Sequence, residues 1–133
     1  MTIRDMDIFE NPECVHAIYK DDIPSFMNVE ISRLTILPGE KTELILTIDT
    51  HELPSVLPDK WLSKHVNTIQ FEIDFIDVKF DEFNFSNGPA YSLEISSSDR
   101  NKVCILRNLS SSKELKLIAK WVYVRDIIGY EQE

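Results

Sequence analysis

Apolar and polar residues alternate along NTIQFEIDFIDVKF, residues 67–80. Ile69, Phe71, Ile73 and Phe75 fall on one side, with Gln70, Glu72 and Asp74 on the other. A period of two predicts a strand with one buried and one wet face, and here the wet face is acidic. Such a strand belongs to an antiparallel sheet open to solvent on one side.

The same reading places the other elements. Pro12 and Glu13 follow Asn11, so Asn11 is the expected N-cap of a helix over 12–20. Val15, Ile18 and Tyr19 share its core face, and it should end at Asp21–Asp22, before Pro24. Val29, Ile31, Leu34 and Ile36 predict a strand whose alternation breaks near Arg33, as at a bulge. Pro38 and Gly39 turn it into a partner over 41–50, which makes a hairpin.

Residues 51–66 hold Pro54 and Pro58 and then Trp61. They read as a long connection or as one ending in a helical turn, with Trp61 anchoring it to the core. After the strand at 67–80, a turn at 84–89 contains Asn87-Gly88. Strands at 90–97, 102–108 and 114–124 follow, linked by polar turns. In the last of these, Leu115, Leu117, Ala119, Trp121 and Tyr123 share one face, and Ile118, Val122 and Val124 share the other. A strand apolar on both faces is expected to be central or covered by the helix. The expected fold is α+β, mostly β. It is one domain over 1–133, a single curved antiparallel meander of about six strands with the short N-terminal helix on one face. A small barrel is the topological alternative.

Composition narrows the partners. With 133 residues, 43% of them apolar, the chain has enough material for a real core. Its formal net charge of −9 argues against nucleic acid and against anionic membranes as partners. It favours a basic protein partner, or serves solubility. Cys14 and Cys104 lie far apart outside any CxxC pair, which reads as free thiols in a reducing cytosol. The first residues lack the basic flank and apolar run of a signal peptide, and no apolar run is long enough to span a bilayer. A soluble, cytoplasmic protein is expected.

Candidate chemistry is sparse. His16, His51 and His65 are scattered, and Cys14 and His16 would point apart on a helix, so no zinc site is expected. Gly39, Gly88 and Gly129 are the chain's three glycines, too few and too separated for a phosphate-cradling loop. No GxSxG elbow exists, and serines crowd the turns. No catalytic residue, cofactor or metal is therefore expected.

Carboxylates are plentiful at Glu72, Asp74, Asp77, Asp81 and Glu82. They suit a solvated sheet face, a surface for a basic partner, or, with Glu72 and Asp74 adjacent on one face, a carboxylate pair or hard-cation site. Phe83 or Phe85 could add an exposed interface anchor. The expected partner-binding residues are Glu72, Asp74, Asp77, Asp81, Glu82 and Phe83.

The order of several segments resembles a known family. The chain opens its helix with NPECVHAIY, passes through LPSVLPDKW to NTIQFEIDFIDV, and closes on WVYVRDIIGY. This is similar to the immunity protein 50 family of bacterial polymorphic toxin systems, on Asn11, Pro12, Pro58, Trp61, Asn67 and Gln70. The resemblance implies a cytosolic antidote that binds a cognate toxin and blocks it. It transfers no binding residues, because immunity surfaces diverge with their toxins. Many toxin domains are basic, and an acidic inhibitor gains association rate against such a partner. The competing readings are a non-catalytic binding domain with another partner, and a small-ligand barrel or enzyme.

Overall fold

The computed structural model describes residues 8–20, 24–85 and 88–133. The expected helix end at Asp21–Asp22, the Asn87 of the expected turn and the segment 1–7 lie outside these residues.

A short helix, α1 (Glu13–Tyr19), precedes β1 (Val29–Leu37) and β2 (Glu43–Thr50). One helical turn, α2 (Asp59–Leu62), leads into β3 (Thr68–Ile76) and β4 (Lys79–Phe83). Then follow β5 (Gly88–Ser98), β6 (Asn101–Asn108), β7 (Glu114–Ala119) and β8 (Trp121–Tyr130). All pairings are antiparallel, in the order β4-β7-β6-β5-β1-β2-β3-β8.

The expected six strands become eight because two of them break. The strand expected at 67–80 stops at Asp77, which takes φ 61°. Asp tolerates the left-handed region better than most residues, so the bend needs no glycine. The strand expected at 114–124 stops at Lys120 and runs on to Tyr130. Its two apolar faces are therefore one inward face that changes phase. Leu115, Leu117 and Ala119 are buried before Lys120, and Val122, Val124 and Ile127 after it. Trp121 and Tyr123 turn outward instead. The two breaks face each other, and Lys120 N–H donates to the Ile76 carbonyl at 3.0 Å. Beyond them β3 pairs with β8 and β4 with β7, so the sheet is not a simple meander. Among the described residues β4 and β8 end the sheet without pairing to each other, so it does not close into a barrel.

The ribbon β3–β4 with β7–β8 serves both halves of the sheet, β1-β2-β3-β8 and β5-β6-β7-β4. Inward residues of both halves share one core with Val15 and Tyr19 of α1. Phe26 links the halves. Its ring meets Phe71 edge-on at 4.9 Å, and its carbonyl accepts from Leu93 N–H at 2.9 Å. The expected bulge lies at Ser32, where the register between β1 and β2 shifts.

Asn11 corrects the capping expectation. Pro12 takes the N-cap position and no side chain caps α1. The Asn11 amide instead donates to the Val124 carbonyl at 2.7 Å and accepts from Val124 N–H at 2.9 Å. A carboxamide carries one donor and one acceptor side by side, so it imitates a strand residue on the edge of β8. Asn67 clasps Gln132 in the same way, at 2.9 and 2.8 Å.

Trp61 is 3% exposed and packs on Gly129 of β8. A Cβ built at Gly129 would lie 2.8 Å from the Trp61 ring and 3.0 Å from Val66. The indole thus pins the 51–66 connection to β8, as expected. Trp61→Ala should cost roughly 3–5 kcal/mol in urea unfolding. Gly129→Ala should cost about 1–3 kcal/mol through overpacking, and clearly less once Trp61 is already Ala and Val66 alone crowds the new Cβ. An undiminished cost of Gly129→Ala in the Trp61→Ala background would contradict this contact.

Candidate binding surface

The outward face of β1-β2-β3-β8 is set by register. Cross-strand partners give four rows: Glu30, Asp49, Gln70, Ile128; then Arg33, Thr47, Glu72, Asp126; then Thr35, Ile45, Asp74, Tyr123; then Leu37, Glu43, Ile76, Trp121. Glu72 and Asp74 therefore share a face with Glu43 and Asp126. Arg125, at the register shift in β8, reaches Glu72 at 3.5 Å.

Asp74 is the most perturbed group on this face. Burial is the first cause, and a hydrogen bond to Glu43 with the charges of Glu43 and Glu72 adds to it. Against the pull of Arg125, these push its carboxyl up to about 7. Its Oδ1 is buried without a hydrogen-bond partner. A carboxyl held beside another carboxylate keeps its proton to higher pH, because both cannot ionise cheaply.

Asp49 meets burial differently. It is 5% exposed and accepts from Ser32 Oγ at 2.6 Å and Gln70 Nε2 at 3.0 Å. It also bonds Tyr130, whose phenol is pushed up to about 12, first by burial and then by this carboxylate. Its donors make it a structural knot between β1, β2, β3 and β8.

Apolar groups edge the acidic centre. Tyr123 and Ile128 are exposed, and the Trp121 ring is flanked by Lys41 at 5.1 Å and Lys120 at 4.8 Å. The other expected residues lie elsewhere. Asp77 occupies the bend, and Asp81, Glu82 and Phe83 sit on β4, where Asp81 reaches Lys116 at 3.5 Å. The six expected residues thus do not form one patch. Glu43 and Asp126 escaped the sequence reading. Glu43 had a faint signal, alternating with the inward Leu44, but only the register sets it beside Asp74.

A groove of about 330 Å³ lies between α1 and β8, lined in part by Cys14, Ile18, Lys60 and Asp126. Burial, its largest cause, raises the Cys14 thiol above its ordinary value, and Asp126 Oδ1 already accepts from Ile127 N–H. Among the described residues, no three His, Cys, Asp or Glu side chains gather where they could hold a metal ion. Nor is any helix among them long and apolar enough to cross a membrane.

A family model described as Immunity protein 50 matches residues 11–130. The chain belongs to the immunity protein 50 family. No curated protein and no solved structure matches it. The residues on which the immunity protein 50 pattern was read hold the frame. Asn11 and Asn67 clasp backbone, Trp61 rests on Gly129, Pro58 precedes α2, and Gln70 donates to Asp49. None of them is among the carboxylates of this face.

Asp74 gives a pH prediction. An unfolded Asp titrates near its ordinary 3.8, whereas the folded carboxyl keeps its proton up to about 7. The folded chain therefore binds more protons between these values. Stability from this group is full below pH 4 and declines as pH rises through 7. Solvent at this half-buried site limits the effect to roughly 1–2 kcal/mol. Asp74→Asn should be more stable than the wild type at pH 8, with the difference shrinking at pH 4. A pH-independent difference in chemical denaturation would contradict this.

Proposed function

We propose that this chain is a cytoplasmic immunity protein that neutralises its cognate bacterial toxin by binding and covering it, without catalysis. The toxin domain is basic, and it docks on the outward face of β1-β2-β3-β8. One observation carries the choice of face. Glu43, Glu72, Asp74 and Asp126 fall on one face across β2, β3 and β8, beside Tyr123, Trp121 and Ile128.

The physical fit has two parts. Clustered carboxylates attract a basic partner over a Debye length of about 10 Å and raise the encounter rate. Half-exposed aromatic groups at the edge then supply short-range contact area. Four strands at a spacing of about 4.8 Å, each about eight residues long, present roughly 500 Å² of projected face. That is of the order needed for a standard interface of about 800 Å² accessible area per partner.

Co-expression with a candidate toxin domain from a neighbouring gene tests the reading, with growth rescue and co-purification as readouts. Glu43→Lys with Glu72→Lys should slow association with that domain about tenfold at low salt, and the difference should fade by 0.5 M salt. Unchanged association in the double variant would move the docking face elsewhere.

A further inference from the structure

The two ends of the sheet are finished differently. The free edge of β8 is covered: Glu10 N–H donates to the Val122 carbonyl at 2.9 Å, and the Asn11 amide clasps Val124. At the other end, β4 pairs with β7. Among the described residues, no strand, cap or side chain bonds its outer edge. All five of its side chains are exposed.

β4 also carries groups that edge protection does not explain. Charges and bulges blunt an edge strand, and Asp81, Glu82 and the register shift between Phe80 and Glu82 fit that role. Two phenyl rings do not. The shift places Phe80 and Phe83 on one side, opposite Leu117 and Leu115. Their rings meet edge to face at 5.3 Å and are 38% and 51% exposed. The bulge residue Asp81 has no ladder partner on β7.

We infer that the open edge of β4 receives an extended, basic segment of the toxin as a ninth strand, anchored on the Phe80–Phe83 ring pair. This rests on the toxin-binding reading above and says where part of the toxin is held. Strand addition draws affinity from main-chain bonds and specificity from alternate side chains. One side of the incoming strand lays apolar groups on Phe80 and Phe83. The other side brings Lys or Arg to Glu82 and Asp81, whose present partner Lys116 is a 3.5 Å exposed pair and easily exchanged. A second copy of the chain fits poorly. Antiparallel pairing of β4 with itself centres on Asp81 and sets Asp81 opposite Asp81, between two molecules of net charge −9.

The test uses the full chain and a candidate toxin domain from a neighbouring gene, followed by amide hydrogen exchange. Toxin binding should slow exchange across 79–83 at least tenfold. Phe80→Ser with Phe83→Ser should weaken binding about a hundredfold, and Asp81→Lys with Glu82→Lys at least tenfold. The second pair consists of exposed charges, so it reports even where the first pair impairs folding. Unchanged exchange at 79–83 in a toxin complex that does form, or wild-type affinity in the charge variant, overturns the inference and leaves the toxin reading standing. Protection of 79–83 by self-association of the wild type assigns the edge to a second copy and overturns it as well. Failure of the wild type to bind that toxin domain withdraws both.

Discussion

The fold depends on a pair of matched bends. Asp77 and Lys120 break two long strands at the same level, and Lys120 N–H binds the Ile76 carbonyl across the gap. Beside the bend, Val78 N–H donates to the Thr42 carbonyl, just ahead of β2, at 2.9 Å. Because the bends coincide, one two-stranded ribbon leaves one half of the sheet as β3–β8 and enters the other as β4–β7. The inward face changes phase at the bend, so Ile73 and Phe75 before it and Leu115 and Leu117 beyond it fill the same core. A straight ribbon would turn one of these sets toward water, since a shift of one residue exchanges the faces of a strand.

The bends also decide which acidic residues can act together. Glu72 and Asp74 lie before Asp77 and face outward beside Glu43 and Asp126. Asp81 and Glu82 lie after it, on the terminal strand. Two surfaces result: a broad acidic face with an aromatic edge, and a narrow strand edge with two phenyl rings. They differ in how they would hold a partner. The face offers charge and contact area, whereas the edge offers backbone donors and acceptors. On the face, burial and the neighbouring Glu43 push the Asp74 carboxyl up to about 7, so Asp74 does not carry its full charge near neutrality.

Much of this was legible in the chain because period-two patterns report local burial. The hairpin of β1 and β2, its bulge, the inward face of β3, the buried face of α1 and the anchoring role of Trp61 all follow from residue order. The two breaks were not legible for a specific reason. Asp77 adopts its bend without the glycine that usually announces one. At Lys120 a phase change in burial has the same sequence appearance as a strand buried on both faces. Asn11 carries a capping pattern, but its amide has a better use 113 residues away on Val124. The grouping of Glu43 with Asp74 requires the register of β2 on β3, which no local pattern encodes.

Titration of toxin activity against this chain tests the central claim most directly. Inhibition by coverage predicts a linear loss of activity that reaches its end at one equivalent, with the toxin recovered intact and EDTA without effect. Full protection well below one equivalent, with the toxin cleaved or modified, would contradict it and make the chain an enzyme acting on its partner.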